Sequence, residues 1–163
     1  MSAADPDALE LRHAMSRLPT GVSVVTASGD SGPAGLTVGA AASLSLEPPL
    51  MLAALDRGSR TLGFVERAGR FGVNVLAAEQ ADLARQFASK APHPEKWSGV
   101  EWGERHGIPV IEGVVVWAAC ELRDLHDGGD HVVATGAVLE LAANDLDPLV
   151  FYRGEYMGLG DAP

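Results

Sequence analysis

The chain has 163 residues and a mass of 17.0 kDa, enough for one domain with its own core and too little for two ordinary ones. Its 12 lysines and arginines against 22 aspartates and glutamates give a formal charge of −10, which argues against a nucleic-acid or anionic-membrane partner because phosphate contacts need concentrated cations. The single cysteine, Cys120, excludes an intrachain disulfide and a cysteine-based zinc site, and with no signal-like start and no membrane-length apolar run a soluble, cytoplasmic protein is expected.

In chain order, Asp5-Pro6 supplies an N-cap and a proline for the first helical position. Leu11, Ala14, Met15 and Leu18 follow at helical spacing and predict a helix ending near Pro19. From Gly21 the period becomes two: Val22, Val24 and Thr26 alternate with Ser23 and Val25, and residues 28–33 offer turn chemistry before Leu36 and Val38, the pattern of a β-hairpin. Leu50 to Leu55 reads as a buried strand, Ser59 as the cap of a helix running through Arg67 and stopped by Gly69, and Phe71 to Leu76 as another strand. Ala81 to Ala88 predicts a further short helix with Leu83, Ala84 and Phe87 on one face. Ser89 to Gly113 mixes proline, glycine, histidine and tryptophan without a period and is expected to be mostly ordered loop, with a strand near Val100 to Gly103. Val114 to His126 and His131 to Leu141 should pair across Asp127-Gly128-Gly129, and Leu149 to Tyr152 should be the final strand. Six to eight strands with short helices and no repeat suggest a mainly β domain built as an antiparallel barrel.

Two segments carry chemistry. Between Gly35 and Pro49 the residues are mostly small, so a ligand can approach the main chain, and Thr37, Ser43 and Ser45 add uncharged hydroxyls. That lining suits a planar, polar-edged cofactor, although alone such hydroxyls serve strand ends and turns more readily than ligands. In Asp56-Arg57-Gly58-Ser59-Arg60-Thr61, the hydroxyls of Ser59 and Thr61, the charge of Arg57 or Arg60 and the unpaired amides of a helix start suit a phosphate monoester or pyrophosphate. His13, His93, His106 and His126 have no spacing that suggests a metal site. Cys120 reads as a buried small residue, and Trp97, Trp102 and Trp117 as packing residues with no assigned role.

Six segments in order, Leu18 to Thr26, Gly35 to Val38, Ser43 to Leu50, Phe71 to Leu76, Gly129-Asp130-His131 and Tyr152 to Tyr156, resemble the flavin reductase-like family of FMN-binding split barrels, over about residues 9–159. The resemblance implies a single domain of Greek-key-like split-barrel fold, a homodimer, and an NAD(P)H:flavin oxidoreductase that passes hydride from NADH or NADPH to FMN or FAD. It also implies a flavin-dependent monooxygenase as the partner that takes the reduced flavin by diffusion. Carried over by position, Thr37, Val38, Gly39, Ala40, Ser43, Leu44 and Ser45 would line the flavin ring and ribityl chain. Asp56, Arg57, Gly58, Ser59, Arg60 and Thr61 would approach the flavin phosphate, with Lys90 as a second basic contact. His131 would seat the nicotinamide, and Tyr152, Arg153 and Tyr156 would bound the pocket or support the dimer. No catalytic acid or base is implied, because hydride transfer between two stacked rings needs none. The run Val38-Gly39-Ala40-Ala41-Ala42 departs from the family's richer serine and asparagine, so main-chain contacts must replace side-chain ones there. A flavin-binding carrier or sensor without nucleotide turnover is the alternative.

Overall fold

A computed structural model describes residues 7–161. Helix α1 (Ala8–Met15) is capped by Asp7, whose carboxylate accepts from the amides of Leu9 and Glu10 at 2.8 Å, while Glu10 reaches back to the Asp7 amide. The expected Asp5-Pro6 cap lies outside the described residues. The helix stops well before Pro19 and buries none of its residues.

The fold is mainly β. Strands β1 (Thr20–Gly21), β2 (Ser23–Gly29), β3 (Gly32–Val38), β4 (Ala41–Leu46) and β5 (Pro49–Asp56) precede helix α2 (Arg60–Ala68) and strand β6 (Arg70–Val75). Helices α3 (Ala81–Ala88) and α4 (His93–Lys96) then lead to β7 (Trp102–Arg105), β8 (Ile108–Ile111), β9 (Val116–Gly128), β10 (His131–Ala143), β11 (Leu149–Tyr152) and β12 (Glu155–Gly158). The main sheet is antiparallel with order β3-β2-β6-β9-β10-β5-β4, β1-β11-β12 form a second sheet, and β7-β8 form a hairpin. The expected barrel is therefore not a closed one, because β3 and β4 are the two edges of the large sheet and share no ladder.

Strand β2 is buried on both faces. Val25 and Ala27 join a core with Leu62 and Val65 of α2, Phe71 and Ala134, whereas Val22 and Val24 face a second core with Leu76, Ala84, Phe87 and Trp97. Fully burying side chains such as Phe87 and Leu62 favours the fold by roughly 2 kcal/mol each, and it clamps α2 and α3 to opposite faces of the sheet. Gly35 makes the second clamp possible: a Cβ there would lie 2.5 Å from the Phe87 ring.

Residues 89–113 are more ordered than expected. They hold one turn of helix and the β7–β8 hairpin, whose turn at His106-Gly107 has φ of 53° and 73°. The signal is hidden because all four residues of β8, Pro109 among them, are buried and show no alternation. Buried polar bonds dock it: Thr26 Oγ1 donates to the Pro109 carbonyl at 2.6 Å, and the Ile111 amide donates to Asn74 Oδ1 at 2.9 Å. A Cβ on Gly72 would meet Thr26 Oγ1 at 2.5 Å and Ile108 at 2.8 Å, so only glycine admits this approach. Strand β11 is not the last either. The chain turns at Arg153-Gly154 with positive φ at both and returns as β12. With β1, β4, β7, β8 and β12 included, the described residues form more strands than the six to eight expected, since short segments carry too few residues to show a period.

Candidate functional site

Two adjoining hollows share Leu36, Asp56 and Ala88 as walls and form one groove between β3, the end of β5, the start of α2 and the end of α3. The smaller, about 290 Å³, is floored by Thr37, Val38, Gly39 and Ala40 of the β3–β4 connection, with Ala54 and His131 beside them. The larger, about 480 Å³, is walled by Gly58, Ser59, Arg60 and Thr61 on one side and by Ser89, Lys90, His93 and Lys96 on the other.

The small hollow is built from main chain and short side chains. The Thr37 hydroxyl donates to the Ala84 carbonyl at 2.8 Å, fixing β3 to α3 and leaving backbone groups to meet a ligand. His131 opens β10 opposite Asp56, and its Nδ1 lies 2.7 Å from an Asp130 carboxylate oxygen. That hydrogen bond, with the charge of His131, holds the Asp130 carboxyl below its usual range. A ring anchored at Nδ1 keeps Nε2 as its second polar atom.

The large hollow is electropositive. Ser59 caps α2 by accepting from the Leu62 amide at 3.4 Å, and the Ser59 amide is bonded to the Asp56 carbonyl. The amides of Arg60 and Thr61 are thus the unclaimed donors of the first turn. On the other wall Lys96 is only 6% exposed, and its ammonium donates to the Phe87 carbonyl at 3.0 Å with no carboxylate in ion-pair reach among the described residues. Burial, then Arg60, lowers its pKa. His93 is edge-on to Phe64, and burial, then Lys96, then Arg60, push its pKa down. A buried cation without a counter-ion, on the wall opposite a helix start, has the chemistry to hold a phosphate or another anion.

The structure thus brings Thr37, Val38, Gly39, Ala40, Asp56, Gly58, Ser59, Arg60, Thr61, Lys90 and His131 to one groove. It places the others elsewhere. Arg57 turns away to the β9–β10 hairpin, where it pairs with Asp127 and its Nε donates to the Gly129 carbonyl at 3.1 Å, so the charge on α2's side comes from Arg60. Ser43, Leu44 and Ser45 lie further along β4, opposite Met51 and Leu50, and line neither hollow. Tyr152 and Arg153 line a separate pocket with Arg17 and Leu159, and Tyr156 packs on Phe151 beneath Arg85. His93 and Lys96 were absent from the expectation. Their one readable signal is the basic spacing Lys90, His93, Lys96 after a helix end. Cys120 is fully buried with its thiol pushed up to about 12 by burial, which makes it an inert core residue. Among the described residues no group of acidic, histidine or cysteine side chains could hold a metal, and no helix is long and apolar enough to cross a membrane.

Residues 15–160 match the family model of the flavin reductase like domain. The chain is 40% identical over 161 residues to HsaB, the reductase subunit of a flavin-dependent monooxygenase of Mycobacterium tuberculosis, covering 96% of this chain and 85% of that protein. It is 42% identical over 160 residues to a flavin reductase of Pseudomonas putida, covering 96% and 92%. Among solved structures, the NADH:FAD oxidoreductase SgcE6 of Streptomyces globisporus, in complex with NAD and FAD fragments, superposes with a TM-score of 0.89 at 32% identity over the whole of both chains. A fold and a match of this extent place the chain in one family: it is a member of the flavin reductase-like proteins.

Proposed function

We propose that the protein is an NAD(P)H-dependent flavin reductase that supplies reduced FMN or FAD to a partner monooxygenase. The observation that carries this reading is the continuous groove, lined mostly by main chain and short side chains at one end and cationic at the other, which matches a ligand with a planar ring and a phosphate tail. The relatives are named as flavin reductases and as a reductase subunit of a flavin-dependent monooxygenase.

The residues present fit a flavin. Lys96, buried without a counter-ion, and the first turn of α2 would hold its phosphate, while the backbone of Thr37 to Ala40 would hold its ring. Bound flavin would supply an acceptor for hydride from a stacked nicotinamide. His131, oriented by Asp130, would seat that nicotinamide and exclude water from its edge. Because the ring end is lined by main chain and short side chains with no cation besides His131, the ring is held weakly, which suits release to a partner by diffusion.

A second copy of the chain completes the assembly. Leu9, Leu11 and Met15 of α1, Leu18 and the edge-strand residues Leu44 and Leu46 are exposed apolar groups that a homodimer would cover. Tyr152, Arg153 and Tyr156 then serve as supports of that interface rather than as walls of the groove. Sedimentation of purified protein should give twice the chain mass.

The test of function is oxidation of NADH and NADPH by purified protein with FMN, FAD or riboflavin added. Flavin-dependent turnover is expected. No rate above that of free flavin with either nucleotide would leave only a flavin carrier.

A further inference from the structure

The Asp130-His131 pair stands at the end of a hairpin that has no core beneath it. Residues 123–130, the end of β9 and the turn into β10, are all exposed, and the turn takes a φ of 74° at Gly129. The ladder that ties β10 to β5 ends at His131, opposite Asp56. Past that point a hollow of about 490 Å³ opens under the hairpin, with Glu66 of α2 on one side and Leu125, His126 and Asp127 on the other. One residue bridges it. The Arg57 amide donates to the Asp130 carbonyl at 3.0 Å and its Nε to the Gly129 carbonyl at 3.1 Å, while Nη2 pairs with the Asp127 carboxylate and reaches the His131 carbonyl at 3.4 Å. Among the described residues, nothing else outside β9 and β10 is hydrogen-bonded or ion-paired to residues 123–130. The anchor is itself fixed, because the Gly58 and Ser59 amides both donate back to Asp56, at 2.6 and 3.0 Å. An exposed ion pair alone contributes only about 0–1 kcal/mol. A guanidinium forked over a carboxylate and backbone carbonyls does something else: it sets geometry, in a way an ammonium cannot copy.

Resting on the reading of His131 as the nicotinamide seat, we propose that Arg57 is a positioning residue for the reaction: it holds the β9–β10 turn against the start of α2, so that His131 faces the ring end of the groove. Arg57 lines neither hollow of that groove and acts only through the turn it holds.

Steady-state kinetics with NADH, beside flavin affinity from titration with FMN, tests this on the full chain carrying Arg57→Met, His131→Ala or both. Arg57→Met keeps the stem and removes every side-chain donor. It should raise the KM for NADH by about tenfold and change kcat and FMN affinity by less than about threefold. In the His131→Ala background the same substitution should change KM by less than about twofold, because its effect passes through a ring that is no longer there. Arg57→Lys, which keeps a charge for Asp127 and loses the fork, should fall between wild type and Arg57→Met. An unchanged KM in Arg57→Met beside a raised one in His131→Ala would overturn the proposal alone. The same rise in both backgrounds would also overturn it, since Arg57 would then act independently of His131. A loss of FMN affinity as large as the rise in KM would overturn it by assigning the Arg57 charge to the flavin. An unchanged KM in His131→Ala would overturn the nicotinamide seat, and the proposal with it.

Discussion

The two ends of the groove are built by opposite means. The ring end is sheet: Thr37 to Ala40 and Ala54 are placed by strand register, Ala54 donating its amide to the Ala40 carbonyl at 2.8 Å, and the surface they present is backbone and methyl groups. The phosphate end is helix termini and loop, and its character comes from side-chain charge that the rest of the molecule leaves unpaired. A sheet holds shape without charge, so under the proposed function the sheet-built end selects flatness and the cationic end supplies most of the affinity. Variants at the two ends should therefore fail differently.

The largest effect is expected at the phosphate end. Lys96→Met keeps the buried stem and removes the ammonium, so flavin affinity should fall by about 30-fold, the value of roughly 2 kcal/mol for a hydrogen bond to a charged group. Thermal unfolding of the ligand-free variant should be unchanged or higher, because a buried ammonium facing only a carbonyl is removed. A fall in affinity matched by a fall in the unfolding midpoint would mean that Lys96 is structural.

At the ring end the expected loss is kinetic. His131→Ala should raise the KM for the nicotinamide nucleotide by about tenfold and alter flavin affinity much less, read from steady-state rates and flavin titration. Unchanged KM and turnover would remove His131 from the nicotinamide site. Thr37→Val, which deletes the bond to the Ala84 carbonyl, should cost about 1 kcal/mol in denaturant unfolding and change flavin affinity less than about threefold, since the ring end binds through backbone. A large affinity loss there would show that the hydroxyl itself contacts ligand.

The smallest effect is on pH dependence. His93 is held below its ordinary value of 6.5 by burial, Lys96 and Arg60, so the unfolded chain binds the proton more readily than the folded one. The ligand-free protein should lose stability as pH falls through about 6.5, and the loss should be shallower in His93→Gln. The Asp130 carboxyl, held low by His131, acts in the same direction at lower pH, as it becomes protonated. Unfolding midpoints across this range, equal in slope for wild type and His93→Gln, would contradict the assigned environment.

The same contrast explains what could be read from the sequence. Helices α2 and α3 were legible from Ser59, Gly69 and the Leu83, Ala84, Phe87 face, and β2–β3 from alternation around a glycine-rich turn. That Thr37 to Ala40 wall a hollow could be read from their small side chains, because backbone access is written in composition. Helix α4 and β8 were not legible: His93 and Lys96 sit on a single turn, and Ile108 to Ile111 are all buried. Arg57 and Arg60 could not be told apart, since only the β9–β10 hairpin, 70 residues away, decides which one is taken by Asp127. Ser43 and Ser45 looked equivalent to Thr37 in chemistry, and only the register of β4 on β5 carries them past the groove.

The most direct test is a crystal structure of the protein with bound flavin. The ring should lie over Thr37 to Ala40 beside His131, with its phosphate between the first turn of α2 and Lys96. A flavin seated instead in the pocket of Arg17, Tyr152 and Arg153 would contradict the account.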